Sequence, residues 1–470
     1  MMFRLHGTSE RGWLRSVVKV ASVAVVFAAL ALTAHATVYD VGPGRAYENI
    51  GDVPWESLVA GDTVRIHWRS EPYREKWVIC LEGTADAPVT VSGVPGPGGE
   101  LPVIDGRDAT TRPELNFWNE DRSIIKIGGA NVPSDTTPRH IIIENLDIRS
   151  ARPGFHFTGR AGRGEYRTNA AAIFVEKGED IIIRNVTMRD CGNGFFTAGA
   201  SRNILLEGCH IWDNGITGSI YQHNSYTSSI GITFQFNHYG PLREGCRGNN
   251  LKDRSAGMVV RYNWIERSNR QLDIVQSGGA VGNHPSYQNA FIYGNILIER
   301  GDGNREIMHF GTEGGSVARA NGYFYNNTVI STRSGTNTLV RASHSGTLDV
   351  RNNIIYTTAP GSNQEINKGD STGLTNMSHN WVKTGYVLGG GTVNDDGTSV
   401  TGSDPGFVDF AADDFRLTAD SPCRNAGTEL HSEVLPEHDV LYQYVKHQGI
   451  QERPRSGAID IGAYGYTPTD

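Results

Sequence analysis

The chain has 470 residues, of which 38% are apolar, 20% are charged and 57 are glycine. This balance excludes a disordered polyelectrolyte, and the lack of a Gly-X-Y period excludes collagen. Residues 1–36 carry four basic and one acidic side chain, so 39 basic and 50 acidic side chains remain beyond them. The negative excess argues against nucleic acid as a partner, and an anionic partner would need a local basic patch.

Residues 1–36 have the pattern of a secretory signal peptide. Basic residues precede an almost wholly apolar run from Val20 to Ala34, and Ala34-His35-Ala36 matches the A-x-A cleavage signature. This run is short for a membrane anchor, which needs about 20 residues. We therefore expect a mature chain that begins near Thr37, is secreted or periplasmic, and has no membrane contact after cleavage.

The mature chain, residues 37–470, is expected to be one domain with a cap at each end. Asp52 as an N-cap, followed by Pro54 and Glu56, predicts a short capping helix within residues 37–60. The first strands are expected in GDTVRIHW from Gly61 and in APVTVSG from Ala87. Residues 400–470 are expected to form the C-terminal cap, because a solenoid must cover its end turns.

A repeat occupies the middle of the chain. Segments such as IIIENLDI at 141–148 and VVRYNWI from 259 place a small polar residue between two short apolar runs. This marked position recurs about every 29 residues, a shorter period than the roughly 40–45 residues of a propeller blade. Its nine occupants are Asn145, Asn185, Gly208, Asn237, Asn263, Asn295, Asn327, Asn353 and Asn380.

The repeat predicts an all-β fold, a right-handed parallel β-helix whose strands pair with those of the next turn at about 4.8 Å. Helices are disfavoured because no 3.6-residue period persists. Asparagine suits the corner of each turn, since it tolerates left-handed backbone geometry and its amide both donates and accepts. We therefore expect the marked residues to turn the chain and to bond to one another from turn to turn.

Residues 38–466 resemble the pectate-lyase-like superfamily of secreted, right-handed parallel β-helix proteins. The resemblance rests on the asparagine series, on APVTVSG, and on the closing strings DPGF, DFRL, SPCRNAG and DIGAY. It implies a polysaccharide-active enzyme, chiefly a lyase. The same scaffold also carries glycosidases, epimerases and tailspikes, so the resemblance specifies the fold better than the activity.

The resemblance also implies three strands in each turn, with the asparagine corner between the second and the third, and it places the active cleft on the sheet formed by the first strands. Counting back eleven residues from Asn237 and Asn263 reaches Tyr226 and Lys252, which should be neighbours in successive turns. Matching the strings LKDR and LDIV then places Asp273 over Lys252. Because side chains alternate along a strand, all three should project outward.

The same alignment extends the predicted site. It places Met308 over Asp273, Arg254 on the outer surface beside Lys252, and the two asparagines 224 and 250 together two places earlier. The candidate catalytic residues are Lys252, Arg254, Tyr226 and His223. The candidate substrate-binding residues are Asn224, Asn250, Asp273, Arg270 and Trp264.

This set of side chains suits β-elimination on a uronic-acid polysaccharide. The reaction needs a cation at the uronate carboxylate, a base for the C5 proton and an acid for the leaving oxygen. Arg254 is always protonated and can hold a carboxylate with two hydrogen bonds. Its charge would favour the neutral form of Lys252, the candidate base, while Tyr226 or His223 would supply the acid.

Calcium is the one cofactor that we consider. Asp253 and Asp273 are its weak candidate ligands, because hard cations take oxygen ligands, and the chain has no EF-hand string. The two carboxylates are equally suited to orient Lys252.

The sequence leaves three other functions open. A glycosidase needs two carboxylates about 5–9.5 Å apart, but the alternation turns Asp253 inward. A C5-epimerase would share the chemistry of the lyase. A non-catalytic carbohydrate-binding or adhesin-like solenoid predicts more regular turns than this chain has. In every case the expected partner is a polysaccharide, which for a lyase is an anionic one, and the expected state is a monomer.

Overall fold

The computed structural model describes residues 36–301, 303–313, 319–343, 346–369 and 373–468. The predicted signal peptide, apart from its last residue, lies outside these ranges. Residues from Ala36 onward form one compact unit. Within the described ranges, no helix has the length and apolar character needed to cross a bilayer.

Three walls of parallel strands make up the fold, and each strand pairs with the equivalent strand of the next turn. Wall A, which carries the predicted site, consists of Glu75–Ile79, Ser123–Ile127, the first parts of Ala171–Arg184 and Asn193–Glu207, Ser225–Thr227, Leu251–Asp253, Leu272–Val275, Glu306–Gly311, Asn337–Ser343 and Gln364–Asn367.

Wall B follows wall A in each turn, and the two long strands run through both. It consists of Val38–Val41, Thr63–His67, Val89–Val94, Arg139–Glu144, the second parts of Ala171–Arg184 and Asn193–Glu207, Ser229–Gln235, Ala256–Arg261, Asn289–Tyr293, Asn321–Tyr325, Thr347–Arg351, Leu374–Ser378 and Thr392–Asp395.

Wall C is a separate sheet of eleven strands. It consists of Val103–Asp105, Asp147–Arg149, Thr187–Arg189, His210–Trp212, His238–Tyr239, Trp264–Glu266, Ile296–Glu299, Thr328–Ser331, Ile354–Thr357, Trp381–Lys383 and Val400–Gly402.

The other elements are short and lie outside the walls. The strands are Ala109–Thr111, Asn116–Phe117, Ala130–Val132, His156–Gly159, Gly162–Glu165, Phe407–Asp409, Asp414–Leu417, Tyr442–Val445 and Gly449–Glu452. In the described part of the chain, the helices are one α-turn, Gly279–Gly282, and four 3-10 turns, Ile50–Asp52, Glu120–Arg122, Pro285–Gln288 and Ser432–Val434. The all-β prediction is thus confirmed, with parallel walls as expected.

The core lies between the walls because the side chains of each strand alternate. In wall B, Val89, Ile141, Ile181, Ile204 and Ile232 follow one another in register, and all are buried. Branched apolar side chains pack well on such a pleated surface. The intervening side chains of the same strands are partly exposed. Alternation therefore decides which side chains of wall A reach the outer surface.

A buried asparagine ladder runs between walls B and C, as the repeat predicted. Its members, each linked to the next by an amide hydrogen bond of 2.9–3.1 Å, are Asn237, Asn263, Asn295, Asn327, Asn353 and Asn380. Each amide also donates to a backbone carbonyl of the preceding turn, and four of the six donate to a carbonyl of their own turn as well, as Asn295 does to Val260 and Tyr293. The ladder therefore satisfies the backbone polar groups of the corner without water.

The first three predicted members of the ladder are one residue out of register. Asn145, Asn185 and Gly208 align with Phe236, the residue before Asn237. That preceding position is the one with a positive φ, between 48° and 60° for these four residues. The prediction of left-handed geometry is confirmed for Asn145 and Asn185 and was wrong for the six asparagines of the ladder, because the turn and the amide ladder occupy adjacent positions.

The N-terminal capping helix predicted from Asp52 is not formed. Instead, the 3-10 turn Ile50–Asp52 ends at that residue, and Asp52 accepts the backbone N–H of Asn49. Trp55 then donates its indole N–H to the carbonyl of Ile50 and stacks on Trp77. The aromatic contact and the hydrogen bond fold the chain back where a helix would carry it forward.

The C-terminal segment, residues 403–468, lies along the outside of the coil. Tyr262 and Tyr325 of wall B donate their hydroxyls to the carbonyls of Asp439 and His438. On wall C, Trp264 packs on Phe415. In these contacts the segment covers the outer faces of walls B and C, whereas the expected cap would close the end of the coil.

Candidate functional site

The predicted column of side chains is present on wall A. Tyr226 pairs with Lys252, Lys252 with Asp273, and Asp273 with His309 in four successive strands. The alignment that placed Met308 over Asp273 was wrong by one residue. Met308 continues the buried, inward row, and His309 takes the outward position.

Lys252 lies at the centre of a charged cluster. Its ammonium lies 2.7 Å from Asp273 Oδ2 and 2.5 Å from Glu313 Oε1. The other oxygen of Glu313 lies 2.6 Å from Arg254 Nη2. The side chain of Lys252 is only 8% exposed and that of Glu313 is 39% exposed, so Glu313 covers the lysine from the solvent side. Lys252 and Arg254 thus hold one carboxylate between them.

Arg254 also contacts the phenol of Tyr226. Its Nε donates to the Tyr226 hydroxyl at 3.0 Å, and its Nη1 donates to the carbonyl of Gln276. Because the phenol oxygen is an acceptor in this contact, its own proton is available to another acceptor. The guanidinium would also stabilise the phenolate that remains after that proton leaves.

Asp273 is buried and fully engaged. Oδ2 accepts from Lys252 and from the amide of Asn249 at 2.7 Å, while Oδ1 lies 2.9 Å from His309 Nδ1. Burial acts to raise the pKa of Asp273, but the His309 hydrogen bond and the Lys252 charge outweigh it, so the pKa lies well below the ordinary value. Asp273 is therefore ionised and fixes the positions of its neighbours.

His223 is not placed as a proton donor, contrary to the prediction. It is 2% exposed, and its Nδ1 accepts the backbone N–H of Asn249 at 2.9 Å. Burial, reinforced by the charge of Lys252, lowers the pKa of His223 to about 3. A neutral imidazole that uses one nitrogen as an acceptor is a poor acid, so Tyr226 is the better placed of the two candidates.

Asn224 and Asn250 do not face the outer surface. Both are fully buried, and the amide of Asn224 donates to Asn250 Oδ1 at 2.6 Å and to the carbonyl of Gly240. The strands of wall A begin only after them, so the turn that precedes each strand rotates both side chains inward. They form a second internal amide pair, and the prediction that they bind substrate was wrong.

The other two predicted binding residues are occupied elsewhere. Trp264 is 1% exposed and lies on wall C against Phe415, so it cannot stack on a sugar. Arg270 is on the same side of the coil as the column, but both its Nε and its Nη2 contact Glu306 Oε2. Its guanidinium therefore neutralises a buried carboxylate.

The residues present do not fit a calcium ion. Asp253 points inward, where it pairs with Arg319 at 3.2 Å and accepts from Thr227. Asp273, His309 and Glu313 bring ligand atoms within 4.8 Å of one another, but the Lys252 ammonium already bonds to both carboxylates. Calcium takes six to eight oxygen ligands. A histidine nitrogen, an ammonium and two carboxylates are a different donor set.

No protein-family model matches the chain, and no curated protein matches it. Among solved structures, pectate lyase Pel9A superposes with a TM-score of 0.53 at 12% identity, covering 92% of this chain and 97% of that one. The chain has the pectate-lyase-like parallel β-helix fold. An alginate lyase from Paenibacillus sp. str. FPU-7 and a GH136 lacto-N-biosidase from Eubacterium ramulus are more distant.

The alginate lyase superposes with a TM-score of 0.40 at 11% identity, covering 74% of this chain and 94% of its own. The lacto-N-biosidase superposes with a TM-score of 0.44 at 11% identity, covering 77% of this chain and 67% of its own. At these identities the likeness establishes the fold alone, and the activity must be argued from the site.

Three members of the site were missed in the sequence. Glu313 and Asn249 reach the cluster from the ends of strands, where register carries no information about side-chain direction. His309 was detectable, because a histidine between Met308 and Phe310 in the strand Glu306–Gly311 is unusual for a core position. The alternation rule, applied with His309 outward, gives the observed register.

Proposed function

We propose that this protein is a secreted or periplasmic polysaccharide lyase that cleaves a uronic-acid-containing polysaccharide by β-elimination. One observation carries the proposal: Lys252 and Arg254 hold a single carboxylate, that of Glu313, next to the phenol of Tyr226. A uronate residue presents the same group to the enzyme. The Glu313 carboxylate therefore indicates where the substrate carboxylate would bind.

Substrate binding would exchange one carboxylate for another. Glu313 lies at the surface, whereas Lys252 and Arg254 are more buried, so the acid side chain is the one that can leave. The substrate carboxylate would then accept hydrogen bonds from the guanidinium of Arg254 and from the amine of Lys252. Negative charge builds up on this carboxylate when the C5 proton is removed, and the cations stabilise it there.

Lys252 is proposed as the base for the C5 proton. An amine that touches the carboxylate is adjacent to C5, because the carboxyl carbon is bonded to that atom. In the structure, the Lys252 amine contacts two carboxylates, those of Asp273 and Glu313. Departure of Glu313 removes one of them, and only the deprotonated fraction of Lys252 acts as a base.

Tyr226 is proposed as the acid. The C5–H bond breaks, the C4–C5 double bond forms, and the bond from C4 to the glycosidic oxygen breaks as the phenol gives that oxygen its proton. Arg254 then contacts the phenolate. The aromatic ring is partly exposed and adjoins Lys252 in the column, so the acid and the base lie on the same wall.

A hydrolase remains the second candidate because of one distance. Oxygens of Asp273 and Glu313 lie within 4.8 Å of each other, close to the roughly 5–5.5 Å of a retaining glycosidase pair. Asp273 is 1% exposed and bonds to three neighbours, however, whereas a catalytic carboxylate must reach the sugar. Elimination gives Lys252, Arg254 and the phenol of Tyr226 a role each, whereas a retaining hydrolase would act through the two carboxylates.

The test is a panel of polygalacturonate, alginate, glucuronan and glycosaminoglycan, each with and without a chelator. Elimination leaves an unsaturated sugar end that absorbs ultraviolet light, and hydrolysis leaves only a new reducing end. We expect ultraviolet absorbance and reducing ends to rise together on one polyuronate, in both the presence and the absence of chelator. Reducing ends without absorbance would favour the hydrolase.

A further inference from the structure

Beyond Lys252, Asp273 and His309 of the outer column are joined by Ser343, which pairs with Gly311 on the next strand, into a chain of three side chains. His309 Nδ1 lies 2.9 Å from Asp273 Oδ1, and His309 Nε2 lies 2.7 Å from Ser343 Oγ. The three residues come from three successive strands that pair in parallel. This is the order of contacts in a nucleophile–base–carboxylate triad.

The position of the proton on His309 can be assigned. Asp273 is ionised and only accepts, so His309 carries its hydrogen on Nδ1. In the neutral imidazole, Nε2 then offers a lone pair, so the single hydroxyl proton of Ser343 can go either to His309 or to the carbonyl of Thr312. Asp273 thus selects the tautomer in which His309 can take a proton from Ser343.

The backbone around Ser343 is shaped for this contact. The backbone N–H of Thr312 donates to Ser343 Oγ at 3.0 Å, which fixes the hydroxyl oxygen; the carbonyl of Thr312 is its other acceptor, at 2.9 Å. Gly311 has a φ of 140°, and a Cβ there would lie 2.8 Å from Ser343 Oγ. A glycine is required at this point because the two strand ends approach so closely.

Other serine–histidine contacts in the described residues lack the third member. Ser286 Oγ lies 2.8 Å from His284 Nδ1, and Ser378 Oγ lies 3.1 Å from His379 Nδ1. Neither of these histidines has a carboxylate among the hydrogen bonds found in the described ranges. The contrast gives a matched internal control for the reactivity of Ser343.

We propose that Ser343, His309 and Asp273 form a second catalytic group, which hydrolyses O-acetyl esters on the polysaccharide. The choice of a polysaccharide ester rests on the proposed function, whereas the serine chemistry does not. Asp273 connects the two groups, because Oδ2 bonds to Lys252 and Oδ1 to His309. An acetyl group could therefore be removed next to the position where the chain is cleaved.

The reaction needs only water as a co-reactant. Ser343 Oγ bonds to the ester carbonyl carbon while its proton passes to His309 Nε2. The bond from that carbon to the sugar oxygen then breaks, and the sugar oxygen takes the proton from His309. Water, activated by His309 in the same way, releases acetate and restores Ser343.

The first test is covalent labelling with a fluorophosphonate, followed by peptide mass mapping. An activated serine forms an oxygen–phosphorus bond and expels fluoride. We expect the label on Ser343 in the wild-type protein and in the Ser286→Ala variant, and its loss in His309→Asn, where Ser343 is retained. Absence of a label on Ser343 in the wild type, or equal labelling in His309→Asn, would overturn the inference.

The second test measures acetate release from an acetylated polyuronate and from p-nitrophenyl acetate. Ser343→Ala should lower both rates by about 1,000-fold or more, with an unchanged circular dichroism spectrum, while Ser286→Ala should retain the wild-type rates. Unchanged release in Ser343→Ala would contradict the triad. A labelled Ser343 without unsaturated products on any polyuronate would instead contradict only the lyase proposal.

Discussion

At the scale of single residues, the central feature is Lys252, whose side-chain amine contacts two carboxylates. Buried ion pairs are costly to form and costlier to break, because removing one partner leaves an uncompensated charge. Lys252 keeps one permanent partner, Asp273, and one exposed partner, Glu313. The exposed partner is the one that a substrate can replace, so substrate binding need not leave a buried charge unpaired.

Replacing Lys252 tests the base directly. We expect Lys252→Ala to lower kcat on the polyuronate by about 1,000-fold, within the range for loss of a general base. Lys177→Ala is the matched control, since Lys177 also pairs with a carboxylate, that of Asp135 at 2.7 Å, but lies away from the column. Near-normal turnover in Lys252→Ala, with a native circular dichroism spectrum, would remove this residue from the mechanism.

Tyr226→Phe separates proton donation from packing. The ring and its edge contact with Phe196 are kept, whereas the hydroxyl next to Arg254 is lost. We expect kcat to fall by about 100-fold or more with little change in KM, because the acid acts only on the leaving oxygen. A rise in KM alone would show that the phenol binds substrate and does not donate a proton.

Glu313→Gln tests the carboxylate exchange. Without its charge, residue 313 competes less well for Lys252 and Arg254, so we expect KM for the polyuronate to fall several-fold and kcat to be retained or increased. Glu179→Gln, which removes an acid paired with Arg139 on another part of the surface, should leave both constants unchanged. Loss of turnover in Glu313→Gln would favour the hydrolase, where this acid would be catalytic.

At the scale of elements, the asparagine ladder holds successive turns in register. Asn295 donates to Asn327 and to two backbone carbonyls, and it accepts from both the backbone and the side chain of Asn263. An alanine at this position leaves several buried polar groups without partners. Each such group costs about 1–3 kcal/mol. The groups that lose a partner lie in three successive turns.

Asn295→Ala is therefore expected to lower the free energy of unfolding in urea by about 3 kcal/mol or more. Asn394→Ala is the control, because Asn394 belongs to an exposed asparagine pair, with Asn376 at 3.2 Å. That change should stay within about 0.5 kcal/mol of the wild type. Equal, small effects at both positions would show that the ladder does not determine stability.

The sequence predicts the column on wall A because the spacing of the asparagines and the alternation of side chains along a strand can both be read from short segments. A recurring amide sets the length of each turn, and alternation then decides that Lys252 points outward and Asp253 inward. Both rules fail where strands begin or end. Asn224 turns inward ahead of its strand, and Glu313 reaches the site from beyond the end of a strand. The period of two applies only inside a strand, so it predicts neither side-chain direction.

The C-terminal segment could not be assigned from the sequence for a different reason. Its short antiparallel strands look like a cap, and only the partly exposed aromatic residues of the walls indicate that something must cover them. Trp264 illustrates the ambiguity: an aromatic side chain next to a predicted site suits both a sugar platform and a packing surface. Its contact with Phe415 is a long-range one that no local pattern contains.

At the scale of the whole molecule, a stack of histidines joins the C-terminal segment to wall C. The ring centres of His210 and His238 are 4.6 Å apart, and those of His238 and His447 are 4.0 Å apart. Burial, reinforced by the neighbouring histidines, lowers the pKa of His210 and of His447 to about 4 each. Glu266 opposes this effect, while Arg189 and Lys446 add to it.

The sign of the pH dependence follows from these values. Between about pH 6.5 and pH 4 the unfolded chain binds protons on His210 and His447 that the folded protein does not, so these two residues favour folding at neutral pH and this contribution is lost as the pH falls. His210→Asn should therefore reduce the loss of urea stability between pH 7 and pH 5. His156→Asn, outside the stack, should leave it unchanged. Equal pH dependence in all three proteins would contradict this role.

The central claim is that wall A carries out elimination on a polyuronate. The most direct measurement is the mass of the oligosaccharides formed when the purified protein digests that polymer in water enriched in oxygen-18. Elimination adds no water, so we predict unsaturated products one water lighter than the saturated oligomers, without the heavy isotope at the cleaved ends. Saturated products that carry the isotope from the cleavage step would contradict the claim.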